Sequence, residues 1–178
     1  LLNTLEDYGG KMDSKLNNRI YEAFPEFFKH KDNIQVSLMG WGCECSDGWF
    51  DIIWELLTSI YLTIDDKDEF ELLQIKEKYG TLRVYFDFES NEIKYNLPYK
   101  FNQITKYKVQ RVFDYVRHLL GIYTKYEIIN HNVDTAEILS AHTCEVCGDD
   151  GETRWDLGWI KTLCDTHYKE ELARTGRG

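Results

Sequence analysis

Apolar residues recur at helical spacing in three stretches of the chain and alternate in two others. Ser14 reads as an N-cap, and Leu16, Ile20, Ala23 and Phe24 then fall on one helical face. Pro25 ends or kinks that helix, and Glu26-Phe27-Phe28-Lys29 starts a short further turn. Ile34 to Leu38 alternates, which predicts a strand. Met39 to Gly48 is a loop containing G-W-G-C-E-C-S-D-G. Asp47 stands where it would cap the next helix, Trp49 to Ile64. The apolar positions of that helix (Trp49, Ile52, Ile53, Leu56, Leu57, Ile60, Tyr61) form a stripe broad enough to sit at the centre of a core. The acidic run Asp65 to Glu69 reads as a solvated loop.

Phe70 to Phe88 alternates on both sides of Gly80 and predicts a β-hairpin. Leu73, Ile75 and Tyr79 fall on one arm, and Leu82, Val84, Phe86 and Phe88 on the other. Glu89 to Pro98 is a polar connector. Phe101 to Leu120 predicts the longest helix, with Ile104, Val109, Val112, Phe113, Val116, Leu119 and Leu120 turned inward and Gly121 as its stop. Tyr123 to Asn130 reads as one more strand. Asp134 then caps a short helix, Thr135 to Ala141.

That helix delivers the chain to a cluster of soft ligands. Cys144 and Cys147 are spaced C-x-x-C and followed by Gly148. Cys164 and His167 are spaced C-x-x-H, and sixteen residues separate the pairs. Two such pairs supply the four donors that tetrahedral zinc takes, with no position left open, so the metal would be structural. A C-x-x-C turn aims two thiolates at one atom, and a glycine after it suits the positive φ of a tight turn. Thr153-Arg154-Trp155 and Trp159 to Thr162 read as hairpin arms around Asp156-Leu157-Gly158. Cys164 to Ala173 reads as a helix that puts Cys164 and His167 on one face. Knuckle, hairpin and helix in this order are the order of a treble-clef zinc module. The βαβ context of a redox C-x-x-C is missing.

Composition narrows the function classes. At 178 residues, 43% of them hydrophobic and 15% aromatic, the chain can bury a core of one domain. A formal net charge of −10 opposes a generic duplex-DNA binder. Residues 140–178 carry five Lys/Arg against eight Asp/Glu, so the zinc segment is acidic as well. Four of the five cysteines sit in short-spaced pairs, which fits a reducing cytoplasm. The opening Leu1-Leu2-Asn3-Thr4 does not read as a signal peptide, and no run approaches a membrane span.

Other constellations compete with plainer readings. Around a two-residue turn at Gly80, Lys76 and Lys78 share a face with Arg83 and Tyr85. Such a face could hold an anion, with Arg83 as a planar fork and Tyr85 as a stacking surface, or flanking carboxylates could neutralise it. Cys43 and Cys45 are either two free loop thiols or half of a second metal site completed by His30, His131 or His142. Asp47 and Asp51 could pair, but capping explains both. No nucleophile–base pattern, phosphate loop or open metal position stands out, so a non-enzymatic role is favoured.

Three phrases taken together carry a resemblance: D-G-W-F-D-I-I (47–53), K-E-K-Y-G-T-L-R-V-Y (76–85), and E-I-L-S-A-H-T-C-E-V-C-G followed by G-W-I-K-T-L-C-D-T-H. Over residues 47–168 the chain resembles a group of small proteins of bacteriophages and prophages. The resemblance implies a cytoplasmic phage accessory protein and carries over no catalytic residue. The expectation is therefore an α+β chain with a small antiparallel sheet packed by helices, divided into a core at 1–133 and a treble-clef-like zinc module at 134–178. Its expected role is to bind and inhibit or sequester a host component in antiviral defence. A nucleic-acid-handling accessory and an enzyme acting on a small phosphorylated substrate are the alternatives. Expected partners are a host protein or an anionic small molecule, with no membrane and no duplex nucleic acid.

Overall fold

The computed structural model describes residues 10–88 and 103–176. The expected connector at 89–98 lies outside the described residues, as do the side chains of Ile104 and Val109. The chain is α+β. In order it runs α1 (Ser14–Ala23), α2 (Phe50–Thr63), β1 (Phe70–Lys78), β2 (Thr81–Phe88), α3 (Gln103–Leu119), α4 (Lys125–Ser140), β3 (Glu152–Arg154), β4 (Lys161–Leu163) and α5 (Asp165–Thr175). The strands make two separate two-stranded antiparallel sheets, β1–β2 and β3–β4. No helix among the described residues is long and apolar enough to cross a membrane.

Helix α2 is the centre of the core, as its stripe requires. Ile53, Leu57 and Ile60 are fully buried, and so is Trp49 in the 3₁₀ turn that leads into the helix. Against them pack Phe70, Leu72, Ile75 and Leu82 from the β1–β2 hairpin, Ile20 from α1, and Phe27 from the 3₁₀ turn Pro25–Phe28. Full burial of each such side chain contributes about 1.5–3 kcal/mol. The cap of α1 is Asp13 rather than Ser14: its carboxylate accepts the Lys15 N–H at 2.7 Å. Asp47 does not cap α2. Its carboxylate instead accepts the Asp13 N–H at 2.7 Å and ties the two helix starts together.

The hairpin turns at Tyr79-Gly80, both with positive φ (56° and 74°), the signature of a type I′ turn. Its alternation is broken by a bulge between Leu72 and Gln74. The buried apolar set on β1 is therefore Phe70, Leu72 and Ile75, not the unbroken Leu73–Ile75–Tyr79 row; Tyr79 lies exposed in the turn. Both edges of the hairpin are covered. Along β1, Glu44 forms a parallel bridge with Lys76, and Leu38 donates to the Leu73 carbonyl at 2.8 Å. Along β2, the Leu82 N–H donates to Ser140 Oγ at 2.8 Å and the Val84 N–H to Glu137 Oε1 at 3.3 Å. Side chains of α4 thus satisfy an edge that would otherwise invite another strand.

The structure departs from expectation in three places. Residues 34–38 are a turn, not a strand: Ile34 and Val36 are exposed, and only Ser37 and Leu38 reach β1. The expected strand at 123–130 and short helix at 135–141 are one helix, α4. Thr124 and Glu127 form a reciprocal capping box that starts it. Ile129, Val133 and Ala136 then recur at four and three residues and face α2 and β2. The division expected at 133/134 falls inside this helix. The third difference is α3. Val112, Phe113, Val116, Leu119 and Leu120 are exposed rather than inward, and the buried residue of that half is Arg117. Its guanidinium makes a two-pronged pair with Glu127 at 2.7 and 2.8 Å and reaches the Ile122 carbonyl at 3.1 Å. Polar bonds to the start of α4, not apolar packing, fix the end of α3.

Candidate metal centre

Residues 143–151 fold into a tight knuckle. Cys144 N–H donates to the Asp149 carbonyl at 2.7 Å, Gly148 N–H to the Cys144 carbonyl at 2.9 Å, and Gly151 N–H to the His142 carbonyl at 2.9 Å. Gly148 has φ +82°, the left-handed conformation expected after a C-x-x-C turn. The β3–β4 hairpin follows with register Glu152↔Leu163, Thr153↔Thr162 and Arg154↔Lys161. Its loop spans 155–160, longer than the three-residue turn read from sequence. Cys164 caps α5, so His167 comes round one turn later onto the same side.

This brings Cys144, Cys147, Cys164 and His167 together, with ligand atoms within 4.8 Å of one another. Cys164 Sγ lies 3.2 Å from His167 Nδ1, Cys144 Sγ 3.5 Å from the same nitrogen, and Cys147 Sγ 3.9 Å from Cys164 Sγ. A tetrahedral ion held by thiolates and an imidazole spaces its ligand atoms about 3.5–3.8 Å apart. The four side chains could hold such an ion, with His167 Nδ1 the nitrogen that faces the sulfurs. His167 Nε2 faces Glu170 at 4.0 Å, the kind of carboxylate that orients a ligating imidazole. The backbone N–H groups of Asp149 and His167 point at the Cys147 and Cys164 sulfurs. Burial acts to raise the Cys164 thiol. The His167 N–H and side chain and the neighbouring cysteines outweigh it and bring that thiol down to about 7. Desolvation pushes Cys147 up to about 12.

No family model, curated protein or solved structure matches the chain.

The knuckle is built into the core by backbone contact. Gly48 N–H donates to the Glu145 carbonyl at 2.9 Å. A Cβ on Gly48 would stand 2.3 Å from the Cys144 carbonyl oxygen and 2.6 Å from Gly148 N, so no side chain fits there. Beside it, the Trp49 indole N–H donates to the Thr143 carbonyl at 2.8 Å. On the other side, Thr162 Oγ1 donates to the Gly80 carbonyl at 2.6 Å, joining β4 to the tip of the first hairpin. Two of the phrases noted in the sequence, D-G-W and T-C-E-V-C-G, are the two sides of this one interface.

Glu145, inside the C-x-x-C turn, drew no notice in the sequence, because nothing in its spacing marks it as internal. It is 4% exposed. Its N–H donates to the Thr162 carbonyl at 2.9 Å, which holds the knuckle against β4. Burial raises its carboxyl to about 7 against the pull of Lys161, whose ammonium is 3.8 Å away.

Cys43 and Cys45 are free thiols in the loop, as one of the two readings had them, but they are fully buried in the core. Desolvation pushes the Cys43 thiol up to about 12 and Cys45 well above the ordinary thiol range. Cys43 N–H donates to the Asn17 side chain at 2.8 Å, and the metal-capable group among the described residues does not include either cysteine. Trp49 is likewise sealed inside the core.

The ladder places Lys76 opposite Arg83 and Gln74 opposite Tyr85, so Lys76, Lys78, Arg83 and Tyr85 do share the outer face of the hairpin. The face is internally engaged. Arg83 Nη1 lies 3.3 Å from Glu137 Oε2, the Lys76 ammonium sits 5.1 Å from the Tyr85 ring centre, and Lys78 sits 5.3 Å from that of Tyr79.

Proposed function

We propose that the cluster holds one structural zinc ion in a treble-clef-like module, and that the chain is a non-enzymatic binding protein of phage type. Its role is to inhibit or sequester a component of the host cytoplasm, in antiviral defence. The observation that carries the reading is the donor set. Three thiols and one imidazole with ligand atoms within 4.8 Å of one another would fill the shell of a zinc ion and leave no place for a substrate. Zinc in that position would stiffen the knuckle, β3–β4 and the start of α5, and the chemistry it supplies is cross-linking. C-x-x-C knuckle, hairpin and ligand-bearing helix follow in treble-clef order. The resemblance to phage accessory proteins supports the host-directed role. So does the exposure of large aromatic side chains on a framework held this tightly, since buried aromatic anchors dominate the energetics of protein interfaces.

The test has two arms. Chelator-free purification followed by native mass spectrometry and elemental analysis should find one zinc per chain, lost in Cys164→Ser. The zinc-loaded chain, used as bait in bacterial lysate, should retain a defined host protein in stoichiometric amount and abolish that protein's activity when added back. Absence of zinc ends the metal reading. Turnover of a nucleotide or phosphorylated small molecule by the purified chain ends the non-enzymatic one.

A further inference from the structure

Charged side chains buried beside the Cys/His cluster meet at one residue. Lys161 lies in β4, three residues before Cys164, and its side chain is 13% exposed. Its ammonium is 3.8 Å from Glu145 Oε1 and 3.5 Å from Glu171 Oε1, and both acids are buried. Glu145 sits between Cys144 and Cys147 in the knuckle. Glu171 lies one turn beyond His167 in α5, on the same side of that helix. Arg174 closes the group from outside, donating to the two oxygens of Glu171 at 2.8 and 2.7 Å.

Lys161 therefore reaches one acid in each of the two segments that flank its own strand. The knuckle, the end of β4 and α5 are the segments that carry the four donors. The backbone already ties the knuckle to β4 through the Glu145 N–H on the Thr162 carbonyl. Packing against α5 is less complete. A cavity of about 30 Å³ has Val146, Lys161, Leu163, His167 and Glu171 in its wall. Apolar contact alone does not fix His167 against the knuckle there, and the ion pairs of Lys161 span the gap.

A buried ammonium is a poor choice for folding alone. Removing a charge from water is costly, and replacing a buried ion cluster by apolar side chains is often neutral or stabilising. The donor set gives the charge a use. Three thiolates around a divalent ion leave one net negative charge. A cation that shares a cavity wall with His167 acts on that charge through surroundings that screen it far less than water does.

We infer that Lys161 is a positioning residue of the zinc site. Through Glu145 and Glu171 it braces the knuckle, β4 and α5 so that the four donors converge before the ion arrives, and its charge offsets that of the loaded site. The inference deepens the zinc reading and rests on it. Donors held in place beforehand leave less ordering to the binding step, which raises affinity. Groups that hold ligands in this way are typically worth about 10–100-fold in metal affinity.

The test is the zinc affinity of the full chain, read by competition with a chromophoric chelator, with cobalt(II) as a coloured stand-in for zinc. Lys161→Met should bind zinc about 10–100-fold more weakly than the parent, and its cobalt absorption bands should shift. Lys161→Arg keeps the charge and should return to within about threefold of the parent, with parental bands. Lys169→Met removes an exposed lysine of α5 and controls for net charge; it should bind zinc as the parent does. Parental affinity in Lys161→Met overturns the inference. So does a Lys161→Arg variant as weak as Lys161→Met, which would make the stem of the side chain matter and not its charge. Should Lys161→Met fail to fold, Glu145→Gln/Lys161→Met/Glu171→Gln takes its place, because a buried ion cluster removed whole is tolerated where the loss of one partner is not. A loss of about tenfold or more in that variant supports the brace, and parental affinity overturns it. A parent chain that takes up no zinc overturns the zinc reading and the inference together. A parent that loads zinc no more tightly than Lys161→Met overturns the brace alone.

Discussion

Helix α3 and the Cys/His segment are tied to the core in opposite ways. Helix α3 has a long and regular apolar stripe, yet Val112, Leu119 and Leu120 are 62%, 73% and 67% exposed. The described end of the helix is held by Arg117 and His118, both reaching Glu127. The Cys/His segment has almost no apolar periodicity, yet Cys144, Thr162 and Leu163 are buried. It meets the core through a glycine with no room for a methyl group and through an indole hydrogen bond. An apolar stripe reports that a helix has a face to cover; it does not say what covers it. Backbone close approach, by contrast, leaves hardly any trace in a hydrophobic pattern.

Breaking the tight side should have the largest effect. Cys164→Ser removes one of the four donors proposed to hold zinc, and metal binding supplies folding free energy directly. Calorimetry should show loss of zinc and a melting temperature lower by more than about 10 °C. Gly48→Ala tests the same side without touching the metal. The methyl group must push the knuckle away, and chemical denaturation should show a loss of about 3 kcal/mol. A change under about 0.5 kcal/mol would mean the knuckle floats on the core.

The polar joint between α3 and α4 should be weaker and dependent on pH. Arg117, first of all, holds the Glu127 carboxyl well below the usual range, helped by the Thr124 N–H and hydroxyl. A carboxyl lowered on folding stabilises above its unfolded value, near about 4.3, and loses that stabilisation as pH falls through the range beneath it. Glu127→Gln should therefore cost about 1–2 kcal/mol at pH 7, and parent and variant melting temperatures should converge in strong acid. A difference that persists unchanged at low pH would trace to the lost cap geometry instead. The smallest effect is expected on the loose side. Leu119→Ser should change stability by less than about 0.5 kcal/mol, whereas Leu57→Ala in α2 should cost about 2–5 kcal/mol.

What the sequence made legible follows the same line. The α2 stripe, the hairpin at Gly80 and the gathering of Cys144, Cys147, Cys164 and His167 were readable because each is a local pattern of spacing and residue type. The bulge at Leu73 was not, because one extra residue leaves alternation looking intact on either side. Ile128-Ile129 looked like strand, but the Thr124/Glu127 box sets the backbone helical before those residues are reached. Cys43 and Cys45 looked like loop thiols because the loop has no periodicity. Their burial comes from its being wedged between Asn17 and β1. The face of Lys76, Lys78 and Arg83 was readable from parity alone, but the carboxylate of Glu137 that meets Arg83 arrives from α4, 54 residues later.

The central claim is that the Cys/His cluster and the α+β core are one cooperative unit joined at Gly48. Hydrogen–deuterium exchange before and after zinc chelation tests it most directly, because the Gly48 N–H is itself bonded to Glu145 in the knuckle. The account predicts that chelation deprotects peptides covering 47–53 together with those covering 143–151. Deprotection confined to 143–167, with 47–53 as slow as in the zinc-loaded chain, would contradict it.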